Sequence, residues 1–283
     1  MAIQTWQLIL EGPNAAAYNM AADEALLSQT CSEKARPLTY VRFFQWSRPT
    51  LSLGFSQQAA RTVDFTFCRE NGIELVRRLT GGKAVLHHKE LTYSIVSNDA
   101  SFFPLGDISE TYRSIANALV LGFRYLGIET SLAEEGRPEN PLPRQQATSA
   151  CFAVSNHHEI LCSGRKLVGS AQRRTKSAFL QHGSILLEFD PSLLAGALGQ
   201  RDSVALAERV TSLRECLGDR IGPDEVSSNL QRGVRESFGV NLERVSLSLN
   251  QRKLVEHLAS TKYGRLDWST PSHPTAKVSV ANS

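Results

Sequence analysis

Short runs of β-branched and aromatic residues recur along this chain, and most follow one another without a long helical segment between them. Such runs predict β-strands when turn residues bound them. The predicted strands are 4–10, Thr39–Phe44, Leu51–Phe55, Ile73–Leu79, Leu91–Val96, His158–Cys162, Lys166–Arg173 and Phe179–Phe189. Because strands outnumber helices and come in consecutive runs, the pattern indicates an α+β fold with a mostly antiparallel or mixed sheet.

Helical spacing of apolar residues is clearest over Ile108–Leu126, and Gly127 supplies a stop signal after it. Residues 14–29 predict another helix with Asn14 as its N-cap. Further helices are predicted over Thr62–Asn71, 224–238 and 250–262. Glu134–Ser149 predicts a loop instead, because it holds three prolines and almost no apolar residue.

Composition and charge exclude several classes of protein. The 283 residues can bury a core without disulfides, and a net charge of +3 does not indicate a nucleic-acid-binding protein. Neither a membrane span nor a signal peptide is evident, and five irregularly spaced cysteines favour the reducing cytoplasm. We expect one large domain over 1–268 and, because the end of the chain is rich in Ser, Thr and Pro, a disordered tail over 269–283.

The segment Arg77–Val85 combines two arginines, a Gly-Gly pair and a lysine. Glycines let a backbone approach a ligand closely, and exposed N–H groups beside cations suit an anion. The segment lacks the spacing of a Walker A loop. It predicts either an anion-binding loop or a tight turn with solvated charges.

Cys151 follows the predicted loop and precedes a predicted hairpin whose turn is Ser163-Gly164. With that turn, Cys162 faces Arg165 and Leu161 faces Lys166. Alternation then places Lys166, Val168, Ser170 and Gln172 on one face. A lysine near Cys151 would lower the pKa of the thiol and favour the nucleophilic thiolate. Alternatively, Cys151 is a small buried apolar residue.

Two other groups of side chains permit weaker interpretations. Cys151, His157, His158 and Cys162 are zinc-ligand types, but their spacing matches no usual ligand pair. Arg173, Arg174 and Lys176 form either a solvated turn or a docking patch for an acidic partner or a carrier phosphate.

Several segments jointly resemble one superfamily, that of the lipoate–protein ligases, octanoyltransferases and biotin ligases. They are Asn19–Leu26, Arg77–His87, Glu90–Ser94, Gly164–Arg174, Leu180–Leu186 and Lys262-Tyr263. The resemblance covers about residues 4–265 and is strongest to the cysteine-dependent octanoyltransferases of the LipM type. Cys151-Phe152 occupies the position of their nucleophile. Lys83 is a departure if an arginine is usual there, because the two cations are not equivalent in bidentate recognition.

The resemblance implies a fold, an activity and a set of site residues. The domain over 1–268 would be a catalytic domain of the biotin/lipoate ligase type, with mixed, mostly antiparallel sheets and flanking helices. Cys151 and Lys166 would be catalytic. The implied substrate-binding residues are Arg77, Arg78, Thr80, Gly81, Gly82, Lys83, His87, Gly169, Ser170, Ala171, Gln172, His182 and Gly183.

The implied reaction moves an octanoyl group from acyl carrier protein, through a Cys151 thioester, to a lysine of a lipoyl domain such as the glycine-cleavage H protein. No cofactor, metal, nucleic acid or membrane is expected, and the protein is expected to be a cytoplasmic monomer. Three alternatives stay open: an ATP-dependent lipoate–protein ligase, an amidotransferase between lipoyl domains, and a non-catalytic protein that binds an acylated carrier.

Overall fold

The structure, a computed structural model, describes residues 3–31, 36–104, 106–133, 159–200 and 202–265. Its strands are β1 (Thr5–Asn14), β2 (Thr39–Trp46), β3 (Thr50–Leu53), β4 (Glu74–Arg77), β5 (Val85–His87), β6 (Glu90–Ser97), β7 (Ser131–Leu132), β8 (Ile160–Cys162), β9 (Arg165–Arg174), β10 (Phe179–Leu186) and β11 (Asn241–Arg244). Its α-helices are α1 (Ala16–Thr30), α2 (Phe65–Glu70), α3 (Ile108–Tyr125), α4 (Pro191–Ala197), α5 (Val204–Arg209), α6 (Leu213–Leu217), α7 (Pro223–Phe238) and α8 (Leu249–Leu258). Cys151, the predicted loop Glu134–Ser149 and the predicted tail 269–283 lie outside the described residues.

The strands form two sheets. The larger has the order β11-β1-β2-β6-β10-β9-β8-β7, and the smaller has the order β4-β3-β5. In the larger sheet β1 runs parallel to β2 and β11, and the other neighbours are antiparallel. The predicted α+β fold with mixed, mostly antiparallel sheets is therefore confirmed.

Helix α1 is buried between the two sheets and the C-terminal helix. Its side chains pack on Phe44 and Leu180 of the larger sheet, on Val76 of the smaller sheet and on Val255 of α8. A helix enclosed in this way is apolar over most of its circumference. Any polar side chain it carries at the centre must therefore find a partner inside the protein.

The prediction of Asn14 as the N-cap of α1 is wrong. Asn14 is the last residue of β1 and pairs with Trp46, so the N-cap position falls on Ala15. Alanine has no side-chain acceptor, and the carboxylate of Glu74 instead accepts a hydrogen bond from the backbone N–H of Ala16. The strand thus extends to the start of the helix.

The opposite face of the larger sheet is covered by α3 and α7. Both helices contribute to a core that contains Trp6, Phe103 and Phe123. The two helices approach closely at Gly233, where a Cβ atom would lie 2.3 Å from the carbonyl oxygen of Ala118. In the part of the chain that the structure describes, no helix is long and apolar enough to cross a membrane.

The hairpin of β8 and β9 confirms the predicted pairs Cys162–Arg165 and Leu161–Lys166. Ile160, however, pairs with Val168, so β9 carries one extra residue at this point. Such a bulge interrupts the alternation of side chains. Directly opposed residues share a face, and therefore Lys166 and Val168 lie on opposite faces of the sheet.

The predicted common face of Lys166, Val168, Ser170 and Gln172 is consequently wrong for Lys166. Beyond the bulge, Gly169 pairs with Ser184 and Ala171 pairs with His182. Lys166 shares the face of these residues, which is the face toward α1. The bulge thus turns the Lys166 side chain away from the face of Ser170 and Gln172 and onto the face toward α1.

Candidate active site

A chain of hydrogen bonds joins α1, β10 and the glycine loop that follows β4. His182 Nδ1 lies 2.9 Å from Asp23 Oδ2, and His182 Nε2 lies 2.7 Å from the Thr80 hydroxyl. All three residues are almost completely buried. His182 therefore has a fixed ring orientation, with one nitrogen toward a carboxylate and the other toward a hydroxyl.

Asp23 is the central acceptor of this network. Its Oδ1 accepts a 2.9 Å bond from Arg42 Nη1 and a 3.0 Å bond from the Ser94 hydroxyl. Burial alone would raise the pKa of the Asp23 carboxyl, but the hydrogen bond with His182 and the charge of Arg42 lower it below its usual range. Asp23 is thus a buried carboxylate that stays ionised at neutral pH.

The guanidinium of Arg77 holds the backbone that follows β3. Its Nη1 donates to the carbonyl oxygens of Gly54, Phe55 and Gln57 at 2.9, 3.2 and 2.7 Å. Buried carbonyl groups need such partners. The described contacts of Arg77 are therefore contacts within the loop, and its predicted contact with an anion stays a prediction.

Arg78 holds the glycine loop itself. Its guanidinium donates to the carbonyl oxygens of Ser52, Gly81 and Lys83 at 2.9, 2.8 and 2.7 Å. The loop also packs tightly on the residue that follows β3, because a Cβ atom on Gly54 would lie 1.9 Å from the carbonyl oxygen of Gly82. Arg78 and the glycines together give this loop one conformation.

His87 lies against Trp46 at the end of β5. The two rings stack with centroids 4.1 Å apart and an interplanar angle of 18°. His87 Nε2 is 2.9 Å from the Ser52 hydroxyl, and Nδ1 is 3.4 Å from Glu90. Burial lowers the pKa of His87, so the ring is neutral at pH 7.

These elements surround one cavity between the two sheets, beside α1. Its wall contains seven of the residues implied by the resemblance: Arg78, His87, Gly169, Ser170, Ala171, His182 and Gly183. It also contains six residues that are not among the implied substrate-binding residues: Met20, Trp46, Ser52, Val85, Thr92 and Ser184. Arg77, Thr80, Gly81, Gly82, Lys83 and Gln172 do not line this cavity, and their binding roles stay predictions.

Ser170 and Gln172 direct their side chains to the other face of the sheet. The Ser170 hydroxyl is 2.7 Å from the Tyr93 hydroxyl, and Gln172 donates to Gln181 at 2.9 Å. Gly183 makes room for Tyr93, because a Cβ atom there would lie 2.5 Å from the Tyr93 ring. These side chains lie with Tyr93 on the side of the sheet away from α1, and Ser170 also contributes to the cavity wall.

Lys166 forms a buried ion pair with Glu159, and each side chain is 4 % exposed. The bulge in β9 places this pair on the face that carries His182 and Ser184. Cys151 lies eight positions before Glu159 and outside the described residues. The predicted contact between Cys151 and Lys166 therefore stays a prediction.

Two of the described cysteines are poor nucleophiles. Burial raises the pKa of the Cys68 thiol to about 11 and that of the Cys216 thiol to about 12. Both are protonated at neutral pH, and the thiolate is the reactive form.

Within the described ranges no three His, Cys, Asp or Glu side chains could hold a metal ion. Of the four side chains considered as zinc ligands, these ranges include only Cys162. The structure therefore does not test the proposed zinc site.

The sequence of residues 15–235 matches the model of the lipoyl protein ligase A/B catalytic domain. The chain belongs to this family. It is also 38% identical over 277 residues to octanoyltransferase LipM of Kyrpidia tusciae, an alignment that covers 94% of this chain and 99% of that protein.

Two solved structures of this family resemble the fold over nearly its full length. Lipoate-protein ligase A bound with ATP is 25% identical with a TM-score of 0.76, and the match covers 94% of this chain and 98% of that one. A bi-partite lipoate protein ligase from Thermoplasma acidophilum, studied with its E2 lipoyl domain, is 25% identical with a TM-score of 0.75, covering 94% and 96%. The family resemblance inferred from the motifs is thus confirmed.

Proposed function

We propose that this protein is an octanoyltransferase of lipoate biosynthesis, an acyltransferase that acts on lipoyl domains. The observation that carries the proposal is the 38% identity to octanoyltransferase LipM over nearly the whole of both chains. In the reaction proposed here, octanoyl–acyl carrier protein is the donor. The acceptor is the lysine ε-amine of a lipoyl domain, such as that of the glycine-cleavage H protein.

The reaction proceeds in two steps through Cys151. The thiolate attacks the carbonyl carbon of the donor thioester, the bond to the carrier sulfur breaks, and the carrier leaves as a thiol. The lysine amine then attacks the new thioester, an amide forms, and the Cys151 thiol is restored. A thioester is already an activated acyl group, so neither step needs ATP. Covalent catalysis of this type divides one difficult transfer into two easier ones.

Lys166 is the proposed partner of Cys151. An ammonium group near the thiol favours the thiolate, and it can also stabilise the developing oxyanion or move the proton of the incoming amine. The buried ion pair of Lys166 with Glu159 supports this role, because it lies on the face of the sheet that carries His182 of the candidate site.

The cavity between the two sheets is the proposed acyl site. Met20, Trp46 and Val85 supply apolar wall surface, and His87 and His182 supply polar atoms at fixed positions. A few polar groups in an otherwise apolar cavity are typical of sites that hold an acyl chain by its body and orient its reactive end.

The test is a transfer assay with a purified lipoyl domain and octanoyl–acyl carrier protein. The proposal predicts octanoylation of the domain lysine in the absence of ATP, observed by mass spectrometry of the acceptor. Modification only with free octanoic acid and ATP would overturn it in favour of a ligase. The structural similarity to an ATP-bound lipoate-protein ligase makes that second function a specific alternative.

A further inference from the structure

Three cationic side chains converge on one carboxylate outside the cavity described above. Lys89 Nζ lies 2.7 Å from Glu188 Oε2, and Arg214 Nη1 and Arg220 Nε lie 3.1 and 3.6 Å from Glu188 Oε1. Among the described residues, Glu188 is the one carboxylate that contacts these three side chains. One negative charge among three positive charges leaves two positive charges in excess.

The three cations remain accessible to a ligand. Their side chains are 53, 49 and 75 % exposed for Lys89, Arg214 and Arg220, whereas that of Glu188 is 23 % exposed. They line a surface cavity together with Leu187 and Ile221. We call this group of Lys89, Arg214 and Arg220 the cationic cluster. Surface cations around one carboxylate form weak ion pairs, so an incoming anion can compete for them.

The backbone at Lys89 has an unusual conformation. Lys89 has a φ of 49°, a left-handed value that is uncommon for residues other than glycine. It lies in the two-residue connection between β5 of the smaller sheet and β6 of the larger one. Its carbonyl oxygen accepts from the N–H groups of Leu187 and Glu188 at 3.0 and 3.1 Å. A strained residue fixed in this way is often found at functional sites.

A second cavity lies between the cationic cluster and the candidate active site. That cavity shares Trp46 and His87 with the acyl cavity, and it shares Lys89 and Leu187 with the cavity of the cluster. The three cavities are thus neighbours: the stacked pair of Trp46 and His87 forms a wall shared by the first two, and the third holds the three cations at the surface.

We propose that the cationic cluster binds the phosphodiester of the carrier-linked arm that delivers the acyl thioester. The inference rests on the proposed function, because the donor thioester of a carrier protein stands at the end of a long, thin arm joined to the protein through a phosphodiester. The adjoining cavities suit such an arm, and converging Lys and Arg side chains suit its phosphate. The arm lies along the second cavity, with its thioester at the acyl site and its phosphate at the cluster.

The test compares two small donors that differ only in phosphate: octanoyl-4′-phosphopantetheine and octanoyl-pantetheine. The wild-type protein should form acyl-enzyme from the phosphorylated donor with a kcat/KM about tenfold higher. The double variant Lys89→Asn/Arg220→Gln should remove this preference and leave the rate with octanoyl-pantetheine unchanged. Asparagine is chosen at position 89 because it tolerates a left-handed backbone.

Two controls distinguish the outcomes. Lys253→Gln removes an exposed cation of α8 and should keep the wild-type preference. Transfer from isolated acyl-enzyme of the double variant to a lipoyl domain should proceed at the wild-type rate. The inference is overturned if both donors lose rate equally, if the loss falls on the transfer to the lipoyl domain, or if Lys176→Gln removes the preference instead. Absence of any acyl-enzyme in the wild-type protein would refute the proposed function and not this site.

Discussion

Replacing Lys166 by methionine should slow octanoyl transfer by about 10²- to 10⁴-fold, the usual contribution of a positioned acid–base group. Methionine keeps much of the length of lysine but carries no charge and moves no proton. The measurement is the single-turnover rate of acyl-enzyme formation with octanoyl–acyl carrier protein. A folded Lys166→Met variant that forms acyl-enzyme within threefold of the wild-type rate would show that Lys166 is not the partner of Cys151.

The same substitution should also destabilise the protein, because it removes the charge partner of the buried Glu159. Breaking a buried pair by removing one member costs about 3–5 kcal/mol. Glu159→Gln is the matched control, since it breaks the same pair but keeps the lysine. It should lose a similar part of the free energy of unfolding and much less of the acylation rate. Equal losses of rate in both variants would assign Lys166 a merely structural role.

Replacing Asp23 by alanine should cost about 3–5 kcal/mol of the free energy of unfolding. The reason is the position of Asp23 between Arg42, which is completely buried, and His182, with hydrogen bonds of 2.9 Å to each. Its removal leaves the guanidinium with fewer partners and takes away the carboxylate partner of His182 Nδ1. Urea unfolding at pH 7 measures the loss. Asp224→Ala, which removes an exposed carboxylate in the first turn of α7, should cost at most about 1 kcal/mol.

Asp23 should also determine part of the acid sensitivity of the fold. Because its pKa is lower in the folded protein than the ordinary value of 3.8, the unfolded chain binds the proton more tightly. The stabilisation is therefore complete above the unfolded pKa and is lost as the pH falls through the folded pKa. The free energy of unfolding of Asp23→Ala should depend less on pH below about 4 than that of the wild type. An identical slope in the two proteins would contradict this assignment.

The hairpin of β8 and β9 shows what sequence patterns can and cannot predict. A two-residue turn determines which residues pair across it, and the pairs next to Ser163-Gly164 were predictable for that reason. The bulge at Lys166 was not predictable, because an extra residue in one strand leaves no mark in the alternation of so short a segment. The face of the sheet that carries Lys166 could thus be known only from the structure.

Asp23 and Trp46 illustrate a second limit. Asp23 is one of several polar residues of α1, and nothing near it in the sequence marks it as the buried one with a partner, because that partner, His182, lies 159 positions further along the chain. Trp46 reaches the cavity because the ends of two sheets meet there. Contacts between distant elements depend on packing, which local patterns do not contain.

The arginines of the glycine loop illustrate a third limit. Two cations beside two glycines left open an anion-binding loop or a tight turn with solvated charges, and in the structure Arg77 and Arg78 donate to backbone carbonyl oxygens of the two loops they join. A guanidinium has five N–H donors, so it suits both roles equally well. Residue type alone could not decide between them, whereas the motifs taken together identified the family and the fold.

The most direct test of the central claim is the intact mass of the protein after incubation with octanoyl–acyl carrier protein in the absence of ATP. We predict an increase of one octanoyl group that hydroxylamine removes, that Cys31→Ala retains and that Cys151→Ala lacks. An adduct that persists in Cys151→Ala, or no adduct in a wild-type protein that modifies its acceptor only with ATP and free acid, would contradict a Cys151 acyl-enzyme.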